Sequence, residues 1–154
     1  MDALKVLTKE KNMALLEKYG VFQRREINSR YEVFMEDFHR KVRIEGEVAL
    51  EIARSMIEPA VAAEFEKTVR TLGEARTVTV SKGSSSLKKR ASLLGDGLER
   101  LARGEELLAK ALQGKHEEIL EAMQQMRVTV DELEKLVPDS SWPLPKYREM
   151  LFIY

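Results

Sequence analysis

Between Ile27 and Leu72 apolar residues return every three to five positions, and this one run restricts the chain more than any other feature. Its members are Ile27, Tyr31, Phe34, Phe38, Val42, Val48, Ile52, Met56, Ala60, Phe65, Val69 and Leu72, with Glu45 as the single polar step. Helical periodicity sustained over that length predicts one long amphipathic helix across 24–72. At a rise of about 1.5 Å per residue it would extend roughly 70 Å. Pro59 falls in its interior, where a proline removes a backbone donor and crowds the preceding turn, so a kink is expected there.

A second stripe answers the first. Leu87, Ala91, Leu94, Leu98, Leu101, Leu108 and Leu112 lead on to Ile119, Met123, Met126, Val130, Leu133 and Leu136, predicting a second helical arm over 87–137. Gly104 and Gly114 each weaken a helix by about 1 kcal/mol relative to alanine, and a break is expected near Gly114. The arms are joined by 73–86, where Thr77-Val78-Thr79-Val80 has strand propensity but no partner strand, so helix or loop is expected. Ser84-Ser85-Ser86 is placed to cap the next helix. Upstream, Leu4, Leu7, Leu15 and Leu16 mark a short N-terminal helix within 1–20 that stops at Gly20.

After Val137-Pro138 the helical pattern ends, because a residue before proline disfavours helix. The remaining segment, 138–154, is too apolar to be solvated. It holds the sole Trp, two of four Tyr and one of five Phe, so it must dock on something. Trp142, Leu144, Tyr147, Arg148, Leu151 and Phe152 are the candidate docking residues, with Lys146 and Glu149 in a polar rim. The expected fold is all-α: one domain over 1–154, an elongated antiparallel bundle of two long arms, a short N-terminal helix and a packed C-terminal tail. The mixed spacings and the aromatics Phe34, Phe38 and Phe65 suit such a bundle better than an intersubunit coiled coil. Met123 and Met126 are read as core filler.

Charge narrows the function classes. With 26 basic and 26 acidic residues there is no net field to attract nucleic acid or an anionic membrane. No stretch of about 18 uncharged apolar residues exists to span a bilayer, and charges interrupt the N-terminus where a secretion signal would need an apolar core. No cysteine is present, which excludes disulfides and thiolate chemistry and suits a reducing cytoplasm.

Catalytic motifs are sparse. Glu36-x-x-His39 has the spacing of di-iron helical bundles, but such a site needs two of these motifs and two further Glu, and the second histidine, His116, follows Gln113 instead. Lys82-Gly83-Ser84-Ser85-Ser86 with Lys88-Lys89-Arg90 could receive an anion at a helix start, but is no Walker A loop and reads first as a solvated cap. No Gly-x-Ser-x-Gly elbow occurs. The residues themselves point to no catalytic, cofactor or metal site.

Three stretches carry a family resemblance. They are Lys18-Tyr19-Gly20-Val21-Phe22 with Ser29-Arg30-Tyr31-Glu32, then Ala49-Leu50-Glu51-Ile52-Ala53-Arg54 with Ile57-Glu58-Pro59-Ala60, and the terminal Trp142-Pro143-Leu144-Pro145-Lys146-Tyr147-Arg148-Glu149-Met150-Leu151-Phe152-Ile153. Together they resemble the C-terminal end of a type III glutamine synthetase. The resemblance implies a parent enzyme that joins ammonia to glutamate with ATP and divalent metal, both held by a catalytic part outside this chain. No family catalytic residue maps onto these positions. It further implies a structural role, with the catalytic domain or neighbouring subunits as partners in a homo-oligomer. A stand-alone helical adaptor that binds through its apolar faces is the competing expectation.

Overall fold

The computed structural model describes residues 2–77, 83–145 and 149–150, and among them helices and short turns account for all regular structure. The order is α1 (Asp2–Leu7), α2 (Glu10–Lys18), α3 (Arg24–Ile52), a π-turn (Ala53–Ile57), α4 (Glu58–Thr77), α5 (Ser84–Ala111), α6 (His116–Glu134) and one 3₁₀ turn (Asp139–Ser141). The fold is all-α, as expected from the sequence. Where one domain was expected, the chain divides into two compact units, Met1–Glu45 and Gly46–Tyr154, with the boundary inside α3.

In the first unit the expected single helix over 1–20 is two. Thr8 Oγ1 donates to the Lys5 carbonyl and Asn12 Nδ2 to the Val6 carbonyl at 2.6 Å, so side chains satisfy the end of α1 and a new helix begins after Lys9. Gly20 then stops α2 with φ +65, a conformation natural to glycine. Its N–H bonds the Glu17 carbonyl at 3.0 Å and that of Val21 bonds Leu16 at 2.9 Å, which is the Schellman pattern. α3 starts with half a capping box, the Gln23 N–H donating to Glu26 Oε2 at 2.7 Å. Arg24 clamps Glu10 and Glu17 at 2.6 and 2.9 Å. Its hydrogen bond and charge hold the Glu10 carboxyl below the usual carboxylate range.

In the second unit α5 is the middle helix, packed by α4 on one side and α6 on the other. Both pairings are antiparallel. Gly97 lies against Leu133 and Gly104 against Met126, so the partner number falls as the α5 number climbs. Gly95 likewise lies against Phe65 while Glu105 meets Arg54. The second arm is therefore a hairpin rather than one arm. α5 ends at Ala111, the chain turns over 112–115, and α6 folds back from His116. Leu94, Leu101, Leu108, Leu112, Ile119, Met126 and Leu133 are buried, as the stripe implied.

The first arm departs from expectation in two ways. The backbone irregularity is not at Pro59 itself but in the π-turn just upstream, and Pro59 follows it as the second residue of α4, where its missing N–H falls on an already widened ladder. The extra residue in the wide turn relieves the crowding that the proline ring would impose on the Ser55 carbonyl. Ser55 Oγ also donates to the Glu51 carbonyl at 2.7 Å, a bond that favours bending at the same place.

The buried face is also not the one that hydropathy marks. Gly46, Leu50, Ala53, Ile57, Val61, Glu64 and Thr68 face inward, whereas Val48, Met56 and Val69 are exposed. Small residues win the inner face because α3 comes close. A Cβ on Gly46 would lie 2.8 Å from Ile119 Cγ2 and 3.0 Å from Leu112 Cδ2. Gly73 does not end this helix, which continues to Thr77. Val78, Thr79 and Val80 lie outside the described residues, as does Lys82 of the basic serine segment. Gly83, not a serine, holds the N-cap position of α5 with φ +94, and Ser84–Ser86 fill its first turn.

Candidate functional site

The proposed docking tail is only partly described. Trp142 is buried, at 8% exposure, and its backbone N–H donates to the Pro138 and Asp139 carbonyls at 3.0 and 3.3 Å. Its ring is therefore covered within its own chain and offers no open anchor. Leu144 is half-buried and Glu149 exposed, whereas Lys146, Tyr147, Arg148, Leu151 and Phe152 lie outside the described residues. Met150, between Glu149 and Leu151, is exposed.

Open apolar surface is concentrated in the first unit. Of its described side chains only Ile27 and Val42 are buried, while Leu15, Tyr19, Val21, Val33, Phe34 and Ile44 are exposed. A chain of some 40 residues with so small a core is marginal by itself. Leu7, Leu16, Phe22, Ile27, Arg30 and Phe34 line an apolar cavity of about 210 Å³. The Arg30 guanidinium covers its Phe22 wall, 4.5 Å from the ring centroid. Such a hollow suits an inserted apolar or aromatic side chain, with a cation at the rim for an acidic neighbour. The available sequence signal is that Leu7 and Leu16, Phe22 after the Gly20 turn, and Ile27 and Phe34 supply apolar residues from three successive helical segments.

The Glu36-x-x-His39 pair does not form a site. Glu36 accepts from Arg40 Nη2 at 2.9 Å, and the His39 ring meets the edge of Phe38 with centroids 6.3 Å apart. His116 opens α6 with Nε2 2.9 Å from Glu117 Oε1. Among the described residues no three His, Cys, Asp or Glu side chains converge as metal ligands.

Two acidic side chains in the second unit are buried, and sequence reasoning missed both. Glu64 on α4 accepts from Arg90 Nη2 at 2.9 Å, and the same guanidinium donates to the Leu136 carbonyl at 2.6 Å. Glu105 on α5 faces the π-turn. Its Oε2 lies 3.4 Å from Arg54 Nε, and its Oε1 is buried with no hydrogen-bond partner among the described residues. Burial, together with the nearby Glu58 charge, pushes the Glu105 carboxyl up despite Arg54. Glu105 fills the gap between Leu101 and Leu108 in the apolar stripe, and a charged residue in such a gap is the available signal.

The described residues form an all-α scaffold with exposed apolar side chains on its first unit. The comparisons then specify it. Residues 1–76 match the family model for the glutamine synthetase C-terminal domain. The chain is 25% identical to a type-3 glutamine synthetase of Dictyostelium discoideum, over 99% of the chain and 23% of that protein. It is 26% and 27% identical to glutamine synthetases of Butyrivibrio fibrisolvens and Bacteroides fragilis, each over 98% of the chain and 23% of the relative. No solved structure matches. Residues 1–76 thus carry the likeness to the glutamine synthetase C-terminal domain, and the chain spans about a quarter of the length of these relatives. A free-standing adaptor is not favoured by that match. Among the described residues no helix is long and apolar enough to cross a membrane.

Proposed function

We propose that this chain is a non-catalytic, structural domain of a cytoplasmic glutamine synthetase, which packs against the catalytic body or a neighbouring subunit and helps to assemble a homo-oligomer. ATP-dependent ligation of ammonia to glutamate, with its metal ions, belongs to the catalytic body in this reading. The observation that carries it is the uncovered apolar surface of the first unit, where Phe34 stands 48% exposed beside an apolar cavity while only Ile27 and Val42 are buried among the described side chains. Leu144, Tyr147, Arg148, Leu151 and Phe152 are the tail's own docking residues in this reading, and the buried Trp142 anchors the root of the tail in its own unit.

Light scattering coupled to size exclusion tests the reading. The purified chain is expected to run above its monomer mass of 17.7 kDa as concentration rises, and Phe34→Asp or removal of residues 146–154 should return it towards the monomer. A strict monomer at every concentration, unaffected by either change, would overturn it.

A further inference from the structure

The π-turn and the buried carboxylate facing it are used by nothing described so far. Several features make this turn inexpensive to move. The Glu58 N–H reaches back five residues to the Ala53 carbonyl, the wide spacing that gives the turn its form. Pro59 has no N–H to offer the Ser55 carbonyl, and Ser55 Oγ already occupies the Glu51 carbonyl. The local ladder is therefore thinner than in the flanking helices, and single-turn π-bulges of this kind are frequent at functional sites.

Glu105 bears on this turn from α5. Among the described residues one of its oxygens has only a long 3.4 Å contact, to Arg54 on the turn itself, and the other is buried with no hydrogen-bond partner. We propose that Glu105 and the Ala53–Ile57 turn form a proton-responsive joint in the second unit: protonated Glu105 keeps the turn seated on α5, and its ionisation displaces the turn. The charged groups acting on the Glu105 carboxyl are Glu58 of α4, which repels the ionised form, and Arg54 of the turn, which attracts it. A buried carboxylate without a donor on Oε1 is relieved by swinging towards solvent and tightening on Arg54, which is half-exposed. Because the Arg54 backbone is part of the turn, that movement pulls on the turn. Burial and Glu58 raise the Glu105 carboxyl, which puts the event above the ordinary carboxylate range.

NMR on the full chain tests this directly, following the Glu105 side-chain carboxyl and the Arg54–Ile57 amides through a pH titration. The amides should move with the midpoint of the carboxyl, that movement should vanish in Glu105→Gln, and Glu58→Gln should lower the shared midpoint. Turn amides that stay fixed while Glu105 titrates, or that move identically in Glu105→Gln, would overturn the proposal. Should Glu105→Gln fail to fold, a midpoint unchanged by Glu58→Gln would overturn it as well.

Discussion

Leu133 occupies the space that a Cβ on Gly97 would need: its Cγ would lie 3.3 Å from that Cβ, with a methyl closer still. Leu133 is 1% exposed and has nowhere to go. Here α5 and α6 touch through a glycine, so Gly97→Ala should destabilise the second unit. Overpacking costs about 1–3 kcal/mol, against about 1 kcal/mol returned by better helix propensity. Gly73 is the control, being in α4 with no described neighbour within 4 Å of where a Cβ would stand. Gly73→Ala should stabilise by up to about 1 kcal/mol. Thermal unfolding of the two variants should shift in opposite directions.

Arg90 holds two groups at once, the buried Glu64 carboxylate and the carbonyl of the half-buried Leu136. Arg90→Met keeps the apolar stem and leaves both unpaired. The cost should be about 2–3 kcal/mol in urea unfolding, below that of a fully buried pair because the Arg90 side chain is 40% exposed. Adding Glu64→Gln should recover a good part of the loss, since no uncompensated charge is then buried. If the single variant unfolds at the same urea concentration as the parent, the pair contributes no stability.

Glu105 makes stability depend on pH with a definite sign. Its carboxyl is raised in the folded chain above the 4.5 expected when unfolded, so the folded state binds the proton more tightly. The contribution is complete below about pH 4.5 and is lost as pH rises through the folded value. Glu105→Gln should flatten this slope and unfold at a higher temperature than the parent at pH 8. Parallel pH profiles for the two proteins would show that Glu105 is not the group concerned.

The α5–α6 hairpin is legible in the sequence because large apolar residues line its seam, and Leu94 through Leu133 can be read off by spacing alone. The first arm is not, for two physical reasons. Its inner face uses Gly46, Ala53, Glu64 and Thr68, which hydropathy passes over, while Val48 and Met56 attract notice from the outside. The π-turn then adds a residue, so a 3.6-residue period carried across Ala53–Ile57 lands on the wrong face. Of the tail residues proposed for docking, Trp142 is aromatic enough to suggest an anchor, but burial cannot be read from aromaticity. Glu105 and Glu64 were hidden because charged residues are expected outside, and only their partners explain them.

The central claim is that the first unit is finished by a partner surface. Hydrogen exchange measured by mass spectrometry over a concentration series tests it most directly. Amides of α1, α2 and the start of α3 should be weakly protected in dilute protein and gain protection as the assembled fraction grows, while α5 and α6 stay unchanged. Protection of the first unit that is already as strong as that of α5 in dilute protein, and independent of concentration, would contradict the account.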